Sequence, residues 1–220
     1  MLSLNNLTVK QFKALTGIHF TTKMNGKMQG MQSLSTSCTN NPHCIERHKQ
    51  DDTICKHCFA FSQMNCFKNM IPCLERNTEL LTAEIIPAEN MPVLNCLYFR
   101  FEAFGDLVNY IQVVNYFNIC LKNPAVSFAL WTKNPWIIQD AIDRGYIKPD
   151  NINIVYSSPI LNQNVTDAII SKWAFIDKIF TVYDANTAQN VNINCGAKSC
   201  LSCGLCYNKN NVVYINEILK

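Results

Sequence analysis

The chain has 220 residues, of which 48% are hydrophobic and 16% are charged. This length allows one full hydrophobic core and is too short for two comfortable ones, so we expect a single domain over residues 1–220. The formal net charge of +3 is too small to argue by itself for a nucleic-acid partner.

The sequence carries no pattern of export or membrane insertion. Residues 1–10 lack the apolar segment of a secretory signal, and no apolar run approaches the roughly 18 residues of a membrane span. We therefore expect a soluble, intracellular protein without a membrane partner. In a reducing compartment the twelve cysteines are expected to be metal ligands or free thiols, and not a disulfide framework.

The N-terminal region, residues 1–90, is rich in loops and carries a first set of four cysteines. They are Cys38, Cys44, Cys55 and Cys58. A set of this kind is typical of a metal site. His43 and His57 lie beside two of these cysteines and could replace a thiolate, which would favour zinc. We expect them instead to be solvated neighbours of the ligands, because adjacent loop residues rarely ligate one ion together.

Helical spacing follows from residue 59 to about residue 82 and is interrupted by Pro72, which predicts two helical pieces. The remaining cysteines lie here and in the apolar stretches beyond. They are Cys66, Cys73, Cys96 and Cys120. We expect these four to be small buried hydrophobic side chains.

Between residues 91 and 190, segments with strand and helix patterns alternate. The predicted strands cover residues 93–101, 126–131, 152–156 and 178–182, and the predicted helices cover residues 110–121, 136–144 and 165–174. An extended stretch at 31–35 could add a strand. Such alternation implies right-handed βαβ crossovers. It predicts an α/β fold, built as a partial βα barrel or as an open parallel sheet.

Polar residues lie at the ends of the predicted strands, where ligands bind in parallel α/β proteins. They are Arg100, Glu102, Asp106, Lys133 and Asp184. We expect these side chains to bind or protonate a substrate, either a small molecule or a nucleotide. The alternative is that they are ordinary loop residues or helix N-caps.

The C-terminal region, residues 191–220, has a second set of four cysteines in the spacing C-x4-C-x2-C-x2-C, followed by a last strand. They are Cys195, Cys200, Cys203 and Cys206. One short loop can wrap one inorganic centre, and Gly196 and Gly204 are expected to supply its tight turns. Bunched thiols favour a [4Fe–4S] cluster over zinc. The two sets could form one shared centre or two.

The order of these motifs resembles a phage protein family known as gene product 88. The motifs are Ser37-Cys38, Asn41-Pro42-His43-Cys44, Cys55-Lys56-His57-Cys58, Arg76-Asn77, Phe99-Arg100-Phe101, Gly105-Asp106, Trp131-Thr132-Lys133 and Ser199-Cys200-Leu201-Ser202-Cys203-Gly204-Leu205-Cys206-Tyr207. The resemblance covers roughly residues 30–215. It implies a viral protein in the cytoplasm of an infected bacterium, without assigning a reaction.

Cysteines ahead of βα units also look similar to radical S-adenosylmethionine enzymes, which implies S-adenosylmethionine as a further cofactor. Those enzymes use C-x3-C-x2-C on one loop. Here ten residues separate Cys44 from Cys55, and no glycine-rich motif follows at a strand end.

Two functions follow from the sequence. The first is an iron–sulfur protein that performs redox or radical chemistry at the strand ends. The second is a non-enzymatic module in which zinc, contributing on the order of 10 kcal/mol to folding, presents a surface to a host protein or a nucleic acid. The sequence contains no G-x-G-x-x-G, P-loop or nucleophile-elbow motif, so nothing supports a dinucleotide-binding fold or a serine hydrolase.

Overall fold

A computed structural model describes residues 6–163 and 167–219, and its centre is one six-stranded sheet. The strands are β1 (Gln32–Leu34), β2 (Tyr98–Phe101), β3 (Ser127–Thr132), β4 (Ile152–Ser157), β5 (Lys178–Tyr183) and β6 (Tyr214–Ile218). They are all parallel and lie side by side in chain order, with β1 and β6 at the two edges. This confirms the predicted α/β fold in the form of an open parallel sheet.

The helices are α1 (Val9–Thr16), α2 (Pro42–His48), α3 (Phe59–Cys66), α4 (Met70–Ala83), α5 (Tyr110–Lys122), α6 (Pro135–Asp143), α7 (Asp167–Lys172) and α8 (Cys200–Cys203). The helix predicted from residue 165 begins outside the described residues. Within those residues, no helix has the length and apolar character needed to cross a membrane.

Pro72 does not separate the two helical pieces. The break lies at residues 67–69, between α3 and α4, and Pro72 occupies the first turn of α4. Proline is tolerated there because the first N–H groups of a helix have no intrahelical acceptor.

One face of the sheet forms the main hydrophobic core with the helices that connect the strands. On β2, Phe99 and Phe101 point to this side and are fully buried. Their rings meet each other at 5.1 Å between centroids, and both meet the ring of Phe128 on β3. Because successive side chains on a strand alternate in direction, Tyr98 and Arg100 point to the opposite face.

The opposite face is unusually polar for a parallel sheet, whose strands are normally apolar on both sides. The Asn153 amide donates to the carbonyl oxygens of Cys206 and Asn208, at 3.0 and 3.2 Å. The Lys178 ammonium, also buried, donates to the Asn210 side chain and to the Val212 carbonyl, each at 2.9 Å. These polar side chains therefore attach the C-terminal cysteine loop, residues 195–207, and the chain that follows it to the sheet.

Replacing Phe99 by alanine should lower the free energy of unfolding by about 3–5 kcal/mol, because a fully buried ring is lost from a packed cluster. Phe67 is 59% exposed, so Phe67→Ala serves as the control and should change it by no more than about 0.5 kcal/mol. Urea unfolding of both variants measures the difference. Equal losses would contradict the packing described for β2.

Candidate functional site

A cavity of about 460 Å³ lies between the carboxyl ends of the strands and the two cysteine loops. Thiols of both sets line it: Cys44, Cys55, Cys58, Cys195, Cys200, Cys203 and Cys206. Predicted strand-end residues also line it: Arg100, Glu102, Asp106 and Lys133. The two remaining predicted residues, Cys38 and Asp184, are not part of its wall. The structure thus brings the two distant thiol sets to one space.

The N-terminal cysteine loop, residues 38–58, reaches from the end of β1 across to the end of β4. The Ile54 N–H donates to the Pro159 carbonyl at 2.8 Å. Nearer β1, the Asn41 side chain donates to the Asp106 carbonyl at 2.8 Å and accepts from the His43 N–H, capping α2. The loop is therefore held at two positions along the carboxyl edge of the sheet, one after β2 and one after β4.

Cys38 lies behind the cavity wall. It is 1% exposed, and its sulfur is 3.2 Å from that of Met64, in an apolar cluster with Ala60 and Leu74. Burial raises the pKa of Cys38 to about 12, and burial also raises the pKa of Cys44 well above its ordinary value. Both are therefore neutral thiols unless a metal binds.

The C-terminal cysteine loop begins beside β6, where the Cys195 N–H donates to the Asn216 carbonyl at 3.0 Å. Its short helix α8 ends at Gly204, which has a left-handed φ of 62°. A Cβ on Gly204 would lie 2.7 Å from the Tyr98 hydroxyl oxygen, so the close approach of the sheet also requires glycine. Gly196 has no left-handed φ, and the structure has no turn at residues 192–197, so the prediction that Gly196 supplies a tight turn is wrong.

The four thiols of this loop lie close enough to influence one another. Burial raises the pKa of Cys206 to about 12, opposed by Arg100 and reinforced by the other three thiols of the loop. All twelve cysteines lie within the described residues, each as a free thiol. In that part of the chain, no three Cys, His, Asp or Glu side chains are already placed to hold a metal ion. Ligation would therefore require the thiols to turn toward one another.

The cysteines outside the two sets differ in burial. Cys120 is buried, as predicted, and Cys73 and Cys96 are half-buried. Cys66 is exposed at the end of α3, so the prediction that it is a buried hydrophobic side chain is wrong.

Glu102 follows β2 directly and has a left-handed φ of 55°, which is rare outside glycine. Its carboxyl group is buried and accepts hydrogen bonds from the Thr36 N–H at 3.1 Å and the Thr36 hydroxyl at 3.0 Å. It also accepts from the Gln112 amide at 2.7 Å and from the Tyr116 hydroxyl. Although Glu102 lines the cavity, its carboxyl oxygens already accept hydrogen bonds from Thr36, Gln112 and Tyr116.

Asp106 is held in a similar way. One oxygen accepts from the Leu107 N–H at 2.7 Å and from the Thr132 hydroxyl at 2.5 Å, and the other accepts from the Lys133 N–H at 2.9 Å. Asp106 therefore joins the end of β2 to the end of β3. Its observed contacts match the ordinary loop role that the sequence left open.

Asp184 follows β5 outside the cavity wall. It accepts from the Asn162 amide at 2.5 Å and from the Thr187 N–H at 2.7 Å, capping the turn Thr187–Asn190. The Thr187 N–H lowers the pKa of Asp184. The structure therefore gives this residue a capping role, and it does not bring it to the other predicted site residues.

Several residues of the cavity wall were missed from the sequence. Arg47 lies between Cys44 and Cys55, and Tyr207 follows Cys206, so their neighbours in the chain were a signal for both. Lys27 lies far from both cysteine sets in sequence. It reaches the wall through a 3.1 Å ion pair with Glu217, for which the sequence offers no signal.

Comparisons with known proteins give no match: no protein-family model, no curated protein and no solved structure matches the chain. The fold and the cavity define the class only as an α/β protein with a thiol-lined cavity at the carboxyl edge of a parallel sheet. The resemblance to the phage family stays a prediction, as does the cytoplasm of an infected bacterium.

Replacing Gly204 by alanine should lower the free energy of unfolding by about 2 kcal/mol or more, because a side chain is strained at this φ and would collide with Tyr98. In Gly196→Ala, the matched control, the new Cβ meets no described atom within 4 Å, and the change should stay within about 1 kcal/mol. Urea unfolding of the metal-free protein checks both. A harmless Gly204→Ala would contradict the loop geometry.

Glu102 should make stability depend on pH. Burial raises the pKa of Glu102 from its ordinary 4.5 to about 7, against the opposing hydrogen bond from Tyr116. The folded state therefore binds this proton more tightly, and stability is lost as pH rises from about 4.5 through about 7. Metal-free wild type should lose up to about 3 kcal/mol over this window, whereas Glu102→Gln should lack this component.

Urea unfolding at several pH values measures this difference. Glu79 is exposed on α4, so Glu79→Gln is the control and should keep the wild-type pH profile. If Glu102→Gln kept the same profile, the pH dependence would come from other groups.

Proposed function

We propose that the chain binds an iron–sulfur cluster and uses the cavity for one-electron chemistry on a small molecule. One observation supports this proposal most: thiols from both cysteine loops line the same cavity as Arg47, Arg100 and Lys133, which take part in no ion pair among the described residues. Cavities of this size are typical of small-molecule sites, and the carboxyl edge of a parallel sheet is where such sites form.

The C-terminal cysteine loop offers the donor set that fits a cluster best. Its four thiols influence one another's pKa, and the helix α8 between them ends in a left-handed turn at Gly204. Cys195, Cys200, Cys203 and Cys206 would hold a [4Fe–4S] cluster, in a spacing close to that of ferredoxins. When bound, such a cluster supplies or accepts one electron.

The N-terminal loop could provide a second set of ligands at the same cavity. Cys44, Cys55 and Cys58 line it, whereas Cys38 would have to leave its apolar cluster to take part. Ligands from both loops could also meet in one shared centre. Whether S-adenosylmethionine binds at the N-terminal set stays a prediction.

Nearby cations would help the thiols to bind metal. Metal ligation needs the deprotonated thiolate, and burial favours the neutral thiol. Arg100 opposes this effect by lowering the pKa of Cys200 and Cys206, although burial still dominates. Lys133 acts in the same direction on the pKa of Cys55, which burial raises overall.

A zinc-stabilised module is the second candidate, and His43 is the observation that favours it. The Nε2 atom of His43 is buried without a hydrogen-bond partner in the described residues, at the cavity wall. Burial lowers the pKa of His43, which keeps the imidazole neutral and able to ligate. In this case the protein would fold around zinc and bind a host protein or a nucleic acid through its surface.

Cys203→Ser should remove iron and the broad sulfur-to-iron absorption of the C-terminal centre, because one of four clustered ligands is lost. The control is Cys66→Ser, since Cys66 is exposed and lies outside the cavity wall. It should keep both signals. Anaerobic purification with absorption spectra and analysis for iron, sulfide and zinc measures the outcome. Cys58→Ser tests the N-terminal set in the same way.

A colourless wild-type protein with stoichiometric zinc would replace the first proposal by the second. Protein that holds neither iron nor zinc after anaerobic purification would contradict both. Equal iron in Cys203→Ser and Cys66→Ser would show that the C-terminal loop is not the ligand set.

A further inference from the structure

Arg100 is a partly buried cation at the cavity wall. Its guanidinium carbon lies 4.0 Å from the ring centroid of Trp131, and its Nη1 atom is 3.6 Å from the sulfur of Met28. Its Nε atom is buried and has no hydrogen-bond partner among the described residues. None of the ion pairs within that part of the chain includes Arg100. A buried hydrogen-bond donor without an acceptor lowers the stability of the folded protein.

Arg144 shows how the same packing is completed elsewhere in the molecule. Its guanidinium carbon lies 3.9 Å from the ring centroid of Tyr110, a nearly identical stacking distance. There, however, the Nε atom donates to the carboxylate of Asp140 at 2.9 Å. Arg100 packs on the ring of Trp131 in the same way, but it forms no ion pair with a carboxylate among the described residues.

The acidic residues of the cavity wall already have hydrogen-bond or ion-pair partners within the protein. Glu102 and Asp106 accept hydrogen bonds from the framework, and Glu217 pairs with Lys27 at 3.1 Å. The cations Arg47, Arg100 and Lys133 line the same wall and take part in no ion pair among the described residues. The wall therefore keeps a surplus of positive charge that faces the cavity.

The two best-placed cations lie beside different cysteine sets. Arg100 influences Cys200 and Cys206 of the C-terminal loop, and Lys133 influences Cys55 of the N-terminal loop. The backbone N–H of Lys133 is fixed by Asp106, so the root of its side chain is held in place. Both residues also line the cavity, so an anion bound there lies beside both cations.

We infer that the cavity takes a small organic or inorganic anion, whose carboxylate or phosphate group binds Arg100 while Lys133 neutralises it from the other loop. The guanidinium fork matches both groups because it offers parallel N–H donors. The guanidinium carbon lies 4.0 Å from the ring centroid of Trp131, which restricts where the group can move. The inference rests on the proposed use of the same cavity as a substrate site, and it names the class of substrate.

Isothermal titration of the anaerobically purified protein with inorganic phosphate and, separately, with succinate tests this site at low ionic strength. Binding of one probe and not the other assigns the phosphate or the carboxylate class. Arg100→Gln should weaken the binding of the effective probe by about tenfold, the loss expected for a charge-assisted hydrogen bond. Arg100→Lys keeps the charge without the fork and should lose less, and Lys133→Gln should also bind more weakly.

The matched control is Arg144→Gln, which removes a stacked arginine outside the cavity wall and should bind like the wild type. Circular dichroism and metal analysis accompany every variant. If neither probe binds the wild type, or if Arg100→Gln binds as tightly as Arg144→Gln, the inference is overturned. Loss of iron in Arg100→Gln with unchanged probe affinity also overturns it, because Arg100 would then serve the cluster.

The two proposals fail separately. A protein that contains no iron but binds the probe through Arg100 retains the anion site and loses the cluster. A protein that contains iron and binds neither probe retains the cluster and loses the anion site.

Discussion

The attachment of the C-terminal cysteine loop to the sheet is the interaction on which the cavity depends. From buried strand positions, Asn153 donates to the backbone of this loop, and Lys178 donates to the Asn210 side chain and the Val212 carbonyl just beyond it. Tyr207 then stacks on Tyr98, with ring centroids 4.9 Å apart. A buried amide or ammonium without such partners would be strongly unfavourable, so these residues specify one position of the loop.

The acidic and the basic residues of the cavity wall have different roles. Its carboxylates belong to the framework: Glu102 gathers donors from the end of β1 and from α5, and Asp106 joins β2 to β3. Arg47, Arg100 and Lys133 line the same wall and take part in no ion pair among the described residues. Glu102 and Asp106 are buried and connect the strand ends, so they do not pair with these cations.

Much of this arrangement could be predicted from the sequence, because strand and helix patterns in the chain alternate clearly. The four strands between Tyr98 and Tyr183 and the polar strand ends follow from local patterns. The partners of Glu102 could not be foreseen, since Thr36 lies 66 residues away in the chain. The predicted helix break at Pro72 was wrong for a different reason. The effect of a proline depends on its position within a helix, and the surrounding sequence did not show that α4 begins only two residues earlier.

In the chain, the N-terminal cysteine loop follows the edge strand β1, and the C-terminal cysteine loop precedes the edge strand β6. Edge strands have unpaired backbone groups and separate most easily when a sheet loosens. A species that binds both loops at once would link the chain segments next to the two edge strands. Binding in the cavity would then change the hydrogen-exchange rates of backbone amides in the edge strands, far from the bound species.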